Sequence, residues 1–249
     1  MVQLCNKVLL NNGQKILKIF KELKKFLIIG QICAVWQQKV NGLNSLKRNK
    51  KFIYLISPNK IPNKKFYINL DLIFKTGKIS FFQLRLKKIN TKNIIYIGKK
   101  IKKICRKYKI KFIINDSPQL AKKIDSDGCH LGQSDPCIPE ARKILKKKII
   151  GVTCHNSKKL IKKAVKEKAN YIAIGSFFLS KTKKIKYKAN IKVLKYAKKI
   201  TNIPVVAIGG IKLNNYKKLL LNKANFLAIS GYIWNNKKLK PVDAIKKLV

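Results

Sequence analysis

Two aspartates lie just past short apolar runs in the one acidic window of a strongly basic chain. The chain has nine acidic residues, and five of them fall between residues 116 and 140. Asp116 follows an apolar run that begins at Lys111, and Asp135 follows a run that ends at Leu131. Carboxylates just past the ends of two consecutive strands can share a hard cation, and Mg²⁺ prefers oxygen ligands supplemented by substrate phosphates. Asp116 and Asp135 are therefore predicted metal ligands.

A second polar group, Gln83, Arg85 and Lys87, stands at the end of the apolar run 79–84. The three residues alternate at the end of the second predicted strand, so their side chains are predicted to point to the same side. Arginine and lysine on one face suit a pyrophosphate or a carboxylate. The alternative is a strand end that opens into solvent. Arginine is scarce in this chain, which favours a functional interpretation.

Two glycine-containing turns late in the chain are typical of phosphate binding. The run 205–208 leads into Gly209-Gly210, and the run 226–229 leads into Ser230-Gly231. The loops after the seventh and eighth strands of a barrel often bind phosphate through backbone N–H groups. Either glycine pair could instead serve only a tight turn. The segment 180–183, Ser-Lys-Thr-Lys, also suits phosphate oxygens, although such a run arises easily by chance in a lysine-rich chain.

Eight short apolar runs, separated by longer amphipathic stretches, must position these residues. The stretches have helical spacing, as in Ile94, Ile97, Ile101 and Ile104. Strands that alternate with helices indicate a parallel sheet, and eight such units predict an α/β fold of the (β/α)₈ barrel type. An open doubly wound sheet is the competing architecture. The runs are Phe52–Ser57, Ile79–Leu84, Lys111–Ile114, Gly128–Leu131, Ile149–Val152, Tyr171–Gly175, Val205–Ile208 and Phe226–Ile229.

Composition restricts the classes of function that the chain can have. A net charge of +50 would suit a nucleic-acid-binding protein, but no aromatic and arginine stripe accompanies it, so nucleic acid is not the expected partner. An apolar content of 46% indicates a folded core rather than disorder. None of the six cysteines forms a CxxC pair, and a chain of this length folds without disulfides. A reducing cytoplasm is the expected location.

Residues 1–50 stand apart from this alternation. The stripe between Ile16 and Leu27 predicts a helix that packs on the barrel or forms a dimer contact, so a homo-oligomer remains an open prediction. The apolar segment 26–36 is too short to span a bilayer, which needs about 20 residues, and no membrane association is expected. The predicted organisation is an N-terminal helical extension over residues 1–50 and a barrel over residues 51–249.

The motifs taken together resemble the thiamine-phosphate synthase (thiamine-phosphate pyrophosphorylase) family over about four-fifths of the chain. Two of them, QLRLK and GVTCHNS, resemble the alphaproteobacterial branch of that family. The motifs occur in the family's order: QLRLK at 83–87, IND at 114–116, DGCHLGQSD at 127–135, GVTCH at 151–155, SKTK at 180–183, AIGGI at 207–211 and AISG at 228–231.

The resemblance implies a Mg²⁺-assisted transferase that joins a hydroxymethylpyrimidine diphosphate to a thiazole phosphate and releases pyrophosphate. It implies that Asp116 and Asp135 hold the metal, and that Arg85, Lys87 and Lys183 act on the leaving diphosphate. The same resemblance assigns the remaining substrate contacts. The pyrimidine diphosphate would contact Gln83, Arg85, Lys87, Asn115, Thr153 and Lys183, and the thiazole phosphate would contact Ser180, Lys181, Thr182, Gly210, Ile229 and Ser230.

Two alternatives remain open at this point. A related barrel subfamily acts as a thiazole tautomerase and typically lacks the diphosphate and metal residues that are present here. A basic barrel recruited to bind nucleic acid is the second alternative. His130 and His155 follow the fourth and fifth runs, and each is either a proton shuttle or a buried, hydrogen-bonded structural residue.

Overall fold

The computed structural model describes residues 51–61, 63–179 and 187–248. Eight strands occur in this part of the chain, and every one pairs in parallel with its neighbours. The strands are β1 (Ile53–Ile56), β2 (Ile79–Leu84), β3 (Lys111–Asn115), β4 (Gly128–Leu131), β5 (Ile149–His155), β6 (Tyr171–Gly175), β7 (Val205–Ile208) and β8 (Phe226–Ile229).

The eight strands close into a barrel in chain order. Ile53 in β1 pairs with Ile79 in β2 on one side and with Leu227 in β8 on the other, which completes the ring. All carboxyl ends of the strands therefore meet at one mouth. The predicted (β/α)₈ barrel is confirmed, and the open doubly wound sheet is excluded because such a sheet leaves its first and last strands unpaired.

Helices connect the strands in the described ranges. Asparagine or serine side chains cap several helix N-termini, as Ser157 does by accepting a hydrogen bond from the Leu160 amide at 3.3 Å. The helices are α1 (Lys64–Lys75), α2 (Thr91–Lys107), α3 (Pro118–Ile124), α4 (Ile138–Leu145), α5 (Lys158–Lys166), α6 (Ile191–Ile200), α7 (Tyr216–Leu221), α8 (Gly231–Trp234) and α9 (Pro241–Lys246).

The core has two layers because successive strand residues point to opposite faces. In β1, Ile53 and Leu55 belong to the layer between strands and helices, whereas Tyr54 and Ile56 point into the barrel. The barrel interior is apolar apart from a few polar groups. Its buried residues are Tyr54, Ile56, Ile113, Tyr171, Ala173, Val206 and Ala228.

Charge is absent from the strands with one exception. Lys111, at the start of β3, is the only lysine in the eight strands, and none of them contains arginine, aspartate or glutamate. The many remaining lysines of the described ranges lie on helices and loops. No helix there is both long and apolar enough to cross a membrane.

The predicted strand bounds agree with the structure for five strands, and the main difference is in β5. The sequence predicts that β5 ends at Val152, whereas the strand continues to His155. A register shift between Thr153 and His155 lets the last residues keep their pairing with β6. The N-terminal extension over residues 1–50 lies outside the described residues, so its helical character and the boundary at residue 51 remain predictions.

Candidate active site

The two predicted metal ligands lie together at the carboxyl ends of β3 and β4. Asp116 directly follows β3 in a left-handed backbone conformation (φ 69°), and its amide donates to the His130 carbonyl at 2.8 Å. The Asp135 carboxylate accepts a hydrogen bond from the Gly132 amide at 2.6 Å. Burial raises the pKa of the Asp135 carboxyl, and the charge and direct contact of the Asp116 carboxylate raise it further. The two acidic groups therefore repel each other unless a cation or a proton lies between them.

This pair fits a hard divalent cation better than a transition metal. Asp116 and Asp135 offer only oxygen atoms, and Mg²⁺ commonly takes one or two carboxylates together with water and substrate phosphates. Among the described residues, no group of three or more histidines, cysteines, aspartates and glutamates could hold a metal ion. A site made only of protein ligands, such as structural zinc requires, is therefore absent from this part of the chain.

Basic residues follow β2 beside the carboxylates. The Lys87 ammonium lies 3.5 Å from the Asp116 carboxylate. The Arg85 guanidinium donates to the Asn59 side-chain oxygen at 3.0 Å, and the Arg85 amide donates to the Ser57 hydroxyl at 2.9 Å. Both cations stand at the mouth, Lys87 beside the Asp116 carboxylate and Arg85 beside the loop after β1, so an anionic group there would meet positive charge.

The prediction that Gln83, Arg85 and Lys87 point to one side of a strand is wrong. Strand β2 ends at Leu84, so the alternation of side chains does not extend to the two basic residues. Gln83 is buried and turned toward Tyr54 in the barrel, whereas the other two lie in the following loop. The three residues still meet at one mouth because that loop folds over the ends of β1 and β3.

A chain of hydrogen bonds crosses the otherwise apolar interior below the mouth. The Gln83 amide nitrogen donates to the Tyr54 hydroxyl at 3.1 Å, and the Tyr54 and Tyr171 hydroxyl oxygens are 2.7 Å apart. Nδ1 of His130 is 2.9 Å from the Tyr171 hydroxyl, and its Nε2 is 2.8 Å from the Thr153 hydroxyl. Burial lowers the pKa of the His130 imidazole to about 4, so the ring is neutral at pH 7. Of the two interpretations, the structure agrees with the buried, hydrogen-bonded histidine.

Other predicted contacts lie at strand ends around the same mouth. Asn115 is the last residue of β3 and pairs in register with His130, and Ile229 is the buried last residue of β8. The Ser230 hydroxyl donates to the Ser57 carbonyl at 3.2 Å, which ties the end of β8 to the end of β1. Gly210 follows β7 with φ 62°. These residues lie around the mouth at the ends of β3, β7 and β8.

The segment that contains Ser180, Lys181, Thr182 and Lys183 lies outside the described residues, so those four predicted contacts remain predictions. The next described residue is Tyr187, whose ring packs against the His155 ring at a tilt of 33°, with centroids 4.3 Å apart.

The sequence did not single out several residues that organise the site. Tyr54 and Tyr171 lie inside apolar runs, and Ser57 and Asn59 lie in the loop after β1. A buried tyrosine usually finds a partner for its hydroxyl, so a tyrosine within a strand is a weak signal for an interior polar network. The serine and asparagine carry no comparable signal, because such residues are common in loops.

The two buried cysteines near the mouth, Cys129 and Cys154, are not suited to nucleophilic catalysis. Burial raises the pKa of the Cys129 thiol, and it raises that of Cys154 to about 12. Both thiols are therefore protonated near neutral pH, whereas the thiolate is the reactive form. The polar groups that remain at the mouth bind charge and donate hydrogen bonds.

Comparison with known proteins shows sequence similarity across the whole barrel. The family described as thiamine monophosphate synthase matches residues 53–233. The thiamine-phosphate synthase of Pelagibacter ubique is 67% identical over 202 residues, which cover 81% of this chain and 98% of that protein. The enzyme of the same name from Rhodospirillum centenum is 35% identical and covers 74% and 89%, respectively.

Solved structures agree with the sequence relatives. Thiamine phosphate pyrophosphorylase from Pyrococcus furiosus superimposes with a TM-score of 0.70 at 27% identity, covering 81% of this chain and 95% of that one. A tryptophan synthase α-subunit from the same organism, at 13% identity and a TM-score of 0.60, shares the barrel fold alone. The identity, the coverage and the matching fold establish that this chain is an enzyme of the thiamine monophosphate synthase family.

Proposed function

We propose that the protein joins 4-amino-2-methyl-5-(diphosphooxymethyl)pyrimidine to 4-methyl-5-(2-phosphoethyl)thiazole, or to its carboxylated form, giving thiamine phosphate and pyrophosphate. The observation that carries this proposal is the contact between Asp116 and Asp135 at a mouth that also contains Arg85 and Lys87. Two mutually repelling carboxylates beside two cations suit a diphosphate that arrives with a divalent metal ion.

The diphosphate half of the proposal assigns a role to each residue near β2 and β3. Arg85 and Lys87 neutralise the leaving oxygens, and Lys183 is proposed to join them from the segment after β6. Gln83 and Asn115 orient the pyrimidine diphosphate, and Thr153 donates a hydrogen bond to it. Donors placed where charge develops stabilise the transition state more than the ground state.

Asp116 and Asp135 are proposed to hold Mg²⁺. When bound, this ion would supply Lewis-acid neutralisation of the diphosphate charge. The protein keeps both carboxylates in place. The backbone N–H of Asp116 donates a hydrogen bond to the His130 carbonyl, and the Asp135 carboxylate accepts one from the Gly132 amide. The 3.5 Å contact from Lys87 keeps the Asp116 carboxylate partly neutralised before substrate arrives.

The thiazole phosphate is proposed to bind at the turns after β7 and β8. Gly210, Ile229 and Ser230 would contact it through the turns after β7 and β8, together with Ser180, Lys181 and Thr182. Backbone N–H groups at such turns bind anions without needing a charged side chain. Separate sites for the two phosphorylated substrates hold the reacting carbon and the thiazole nitrogen in line.

The proposed reaction needs no general base. The thiazole nitrogen carries a lone pair, and the pyrimidine amino group makes departure of the diphosphate easy once its charge is neutralised. This requirement agrees with the mouth, where the buried Cys129 and Cys154 are protonated and His130 is held by two hydrogen bonds. The residues bind, orient and neutralise, and none has to take a proton from the substrate.

The alternative functions have less support. A thiazole tautomerase has no diphosphate to bind, so its reaction would not need the two carboxylates or the basic residues Arg85 and Lys87. No specific observation favours nucleic acid as a partner. Cytoplasmic location is proposed because the substrates are intermediates of small-molecule biosynthesis.

The test is pyrophosphate release and thiamine phosphate formation by the full-length protein with both substrates and Mg²⁺. We expect turnover that requires both substrates and stops when a chelator removes the metal. Omission of either substrate is the internal control. Absence of product from both thiazole forms, with folded protein, would refute the proposed reaction.

A further inference from the structure

The interior hydrogen-bond chain has only one direction in which every proton finds an acceptor. An amide nitrogen can only donate, so the Tyr54 oxygen accepts from Gln83. Within the described residues, the other polar partner of the Tyr54 hydroxyl is Tyr171, so its proton must go there. If Tyr171 donated to Tyr54 instead, the Tyr54 proton would have no acceptor in that part of the chain. The side-chain amide of Gln83 therefore sets the direction of the hydrogen bond between Tyr54 and Tyr171.

The same reasoning continues to the mouth. The Tyr171 hydroxyl has accepted from Tyr54, so its own proton goes to Nδ1 of His130 at 2.9 Å. Nδ1 is then the acceptor nitrogen, and the proton of the neutral ring is on Nε2, which donates to the Thr153 oxygen at 2.8 Å. The Thr153 hydroxyl proton thus points away from His130. Thr153 is half-buried at the carboxyl end of β5, so this proton is presented at the mouth.

We infer that Tyr54, Tyr171 and His130 are positioning residues that turn the Thr153 hydroxyl into an obligatory donor toward an anionic group at the mouth. Fully ionised phosphate oxygens can only accept hydrogen bonds. If the Thr153 hydroxyl donated to His130, its oxygen lone pairs would face the phosphate oxygens and repel them. The directed chain removes that unfavourable orientation before the substrate arrives. The inference deepens the proposed function and rests on it for the identity of the anion.

Close packing fixes the side chains of the interior hydrogen-bond series. Tyr54 and Tyr171 are each 2% exposed, and their rings contact each other with centroids 5.7 Å apart. A methyl group at Gly151 would come within 1.9 Å of the Tyr171 ring, so the glycine leaves the space that this ring occupies. The His130 ring stacks on Tyr171 at 5.6 Å. Each member is therefore fixed by packing as well as by hydrogen bonds, as a positioning role requires.

The kinetic test interrupts the series of hydrogen bonds at its middle member, with the substitution Tyr171→Phe in the full-length protein. This change keeps the ring and the bond between Gln83 and Tyr54, and it removes both bonds of the Tyr171 hydroxyl. We expect kcat/KM for the pyrimidine diphosphate to fall at least ten-fold, while KM for the thiazole phosphate changes less than two-fold. Tyr108→Phe, which removes a tyrosine hydroxyl outside the barrel interior, is the matched control and should change neither value more than two-fold.

A second background separates positioning from general structural damage. In Thr153→Val the hydroxyl that the chain orients is already gone, so adding Tyr171→Phe should cost less than two-fold. The conservative Thr153→Ser variant keeps a hydroxyl and should retain the full sensitivity to Tyr171→Phe. An equal loss in all backgrounds, or no loss in the wild-type background, would overturn the inference.

A spectroscopic test works without activity and on the unaltered protein. Long-range ¹H–¹⁵N correlation spectra identify which imidazole nitrogen carries the proton, and the chain has only two histidines, His130 and His155. A His155→Gln variant assigns the signals. We expect His130 as a neutral ring protonated at Nε2, and a proton on Nδ1 would overturn the inference. This result stands apart from the proposed reaction, whose failure would appear as absence of product in the wild-type protein.

Discussion

The Lys87 ammonium and the Asp116 carboxylate, 3.5 Å apart, join the loops that follow β2 and β3. Both side chains remain substantially exposed, at 54% and 40%, so the pair contributes little to folding stability. Its contribution lies in the position of the two charges at the mouth. The carboxylate is held beside Asp135, and the ammonium remains available to an incoming anion.

We expect Asp116→Asn and Asp135→Asn each to lower turnover on the order of a hundred-fold or more, because each removes one of the two proposed anionic ligands of the metal ion. Loss of metal-assisted charge neutralisation amounts to several kcal/mol of transition-state stabilisation. Initial rates at saturating Mg²⁺ measure the effect. Asp71→Asn, which removes a surface carboxylate paired with Lys107, is the control and should retain wild-type rates. Wild-type turnover by both site variants would show that the metal assignment is wrong.

Arg85→Ala should weaken the pyrimidine diphosphate far more than the thiazole phosphate, because Arg85 follows β2, whereas the thiazole phosphate is proposed to bind at the turns after β7 and β8. A lost charge-assisted hydrogen bond costs roughly 1.5–3 kcal/mol, or about 10- to 150-fold in Kd. Calorimetric titration with each substrate measures the two affinities. The control is Arg106→Ala on the outer face of α2, where Arg106 pairs with Asp125. Equal weakening of both substrates would argue against two separate phosphate sites.

Gly210→Ala should lower both the melting temperature and the affinity for the thiazole phosphate. A methyl group there would lie 2.3 Å from the Leu179 carbonyl oxygen, and φ of 62° disfavours an L-residue by roughly 1–2 kcal/mol. Gly77→Ala is a matched control, since φ is 72° and a methyl group would meet nothing within 4 Å. Thermal unfolding and substrate titration of both variants separate the effect of the steric clash at residue 210 from the effect of a positive φ alone. Similar behaviour of the two variants would contradict the predicted close approach.

Asp125 lies at the end of the barrel opposite the mouth, and Asp125→Asn should remove a pH-dependent contribution to folding stability. Hydrogen bonds from Lys102 and then Lys148 lower the pKa of the Asp125 carboxyl to about 2. Because the folded pKa is below the unfolded value, the contribution is present above about pH 4 and is lost as the pH falls toward 2. The group is exposed, so about 1 kcal/mol or less is expected at pH 7.

Urea unfolding of wild-type protein and Asp125→Asn at pH 7 and pH 2 measures this contribution. Asparagine is an isosteric control here because it also tolerates the left-handed conformation of residue 125 (φ 54°). We expect a stability difference at pH 7 that shrinks at pH 2. A difference of equal size at both values would mean that the charge is not responsible.

Deletion of residues 1–48 should leave catalysis largely intact. All eight strands and every predicted site residue follow Lys51, and a barrel closes with its own eight units. Steady-state kinetics on soluble truncated protein measures the outcome, with thermal unfolding to record any loss of stability. An inactive but folded truncation would show that the extension contributes to the site, and the proposed boundary would have to move.

The fold was predictable because strand and helix periodicity differ, and five strands have the predicted bounds. The extension of β5 to His155 was not predictable, because Thr153 and Cys154 carry polar atoms that are also typical of a loop. The orientation of Arg85 and Lys87 was not predictable, because both follow the correctly predicted end of β2 and a loop has no regular alternation of side chains. The roles of Tyr54 and Tyr171 depended on which face of each strand points inward, and both runs are apolar throughout.

Because only one residue of the eight strands is charged, the strands of the barrel and the helices of its outer shell can be redesigned independently. Replacing outward-facing helix lysines by glutamate would change electrophoretic mobility, adhesion to polyanions and behaviour during ion-exchange purification. The strand residues that set barrel geometry would stay the same, since Lys111 is the only charged residue among them. A chain of this composition can thus be recoded for a very different ionic environment through its surface alone.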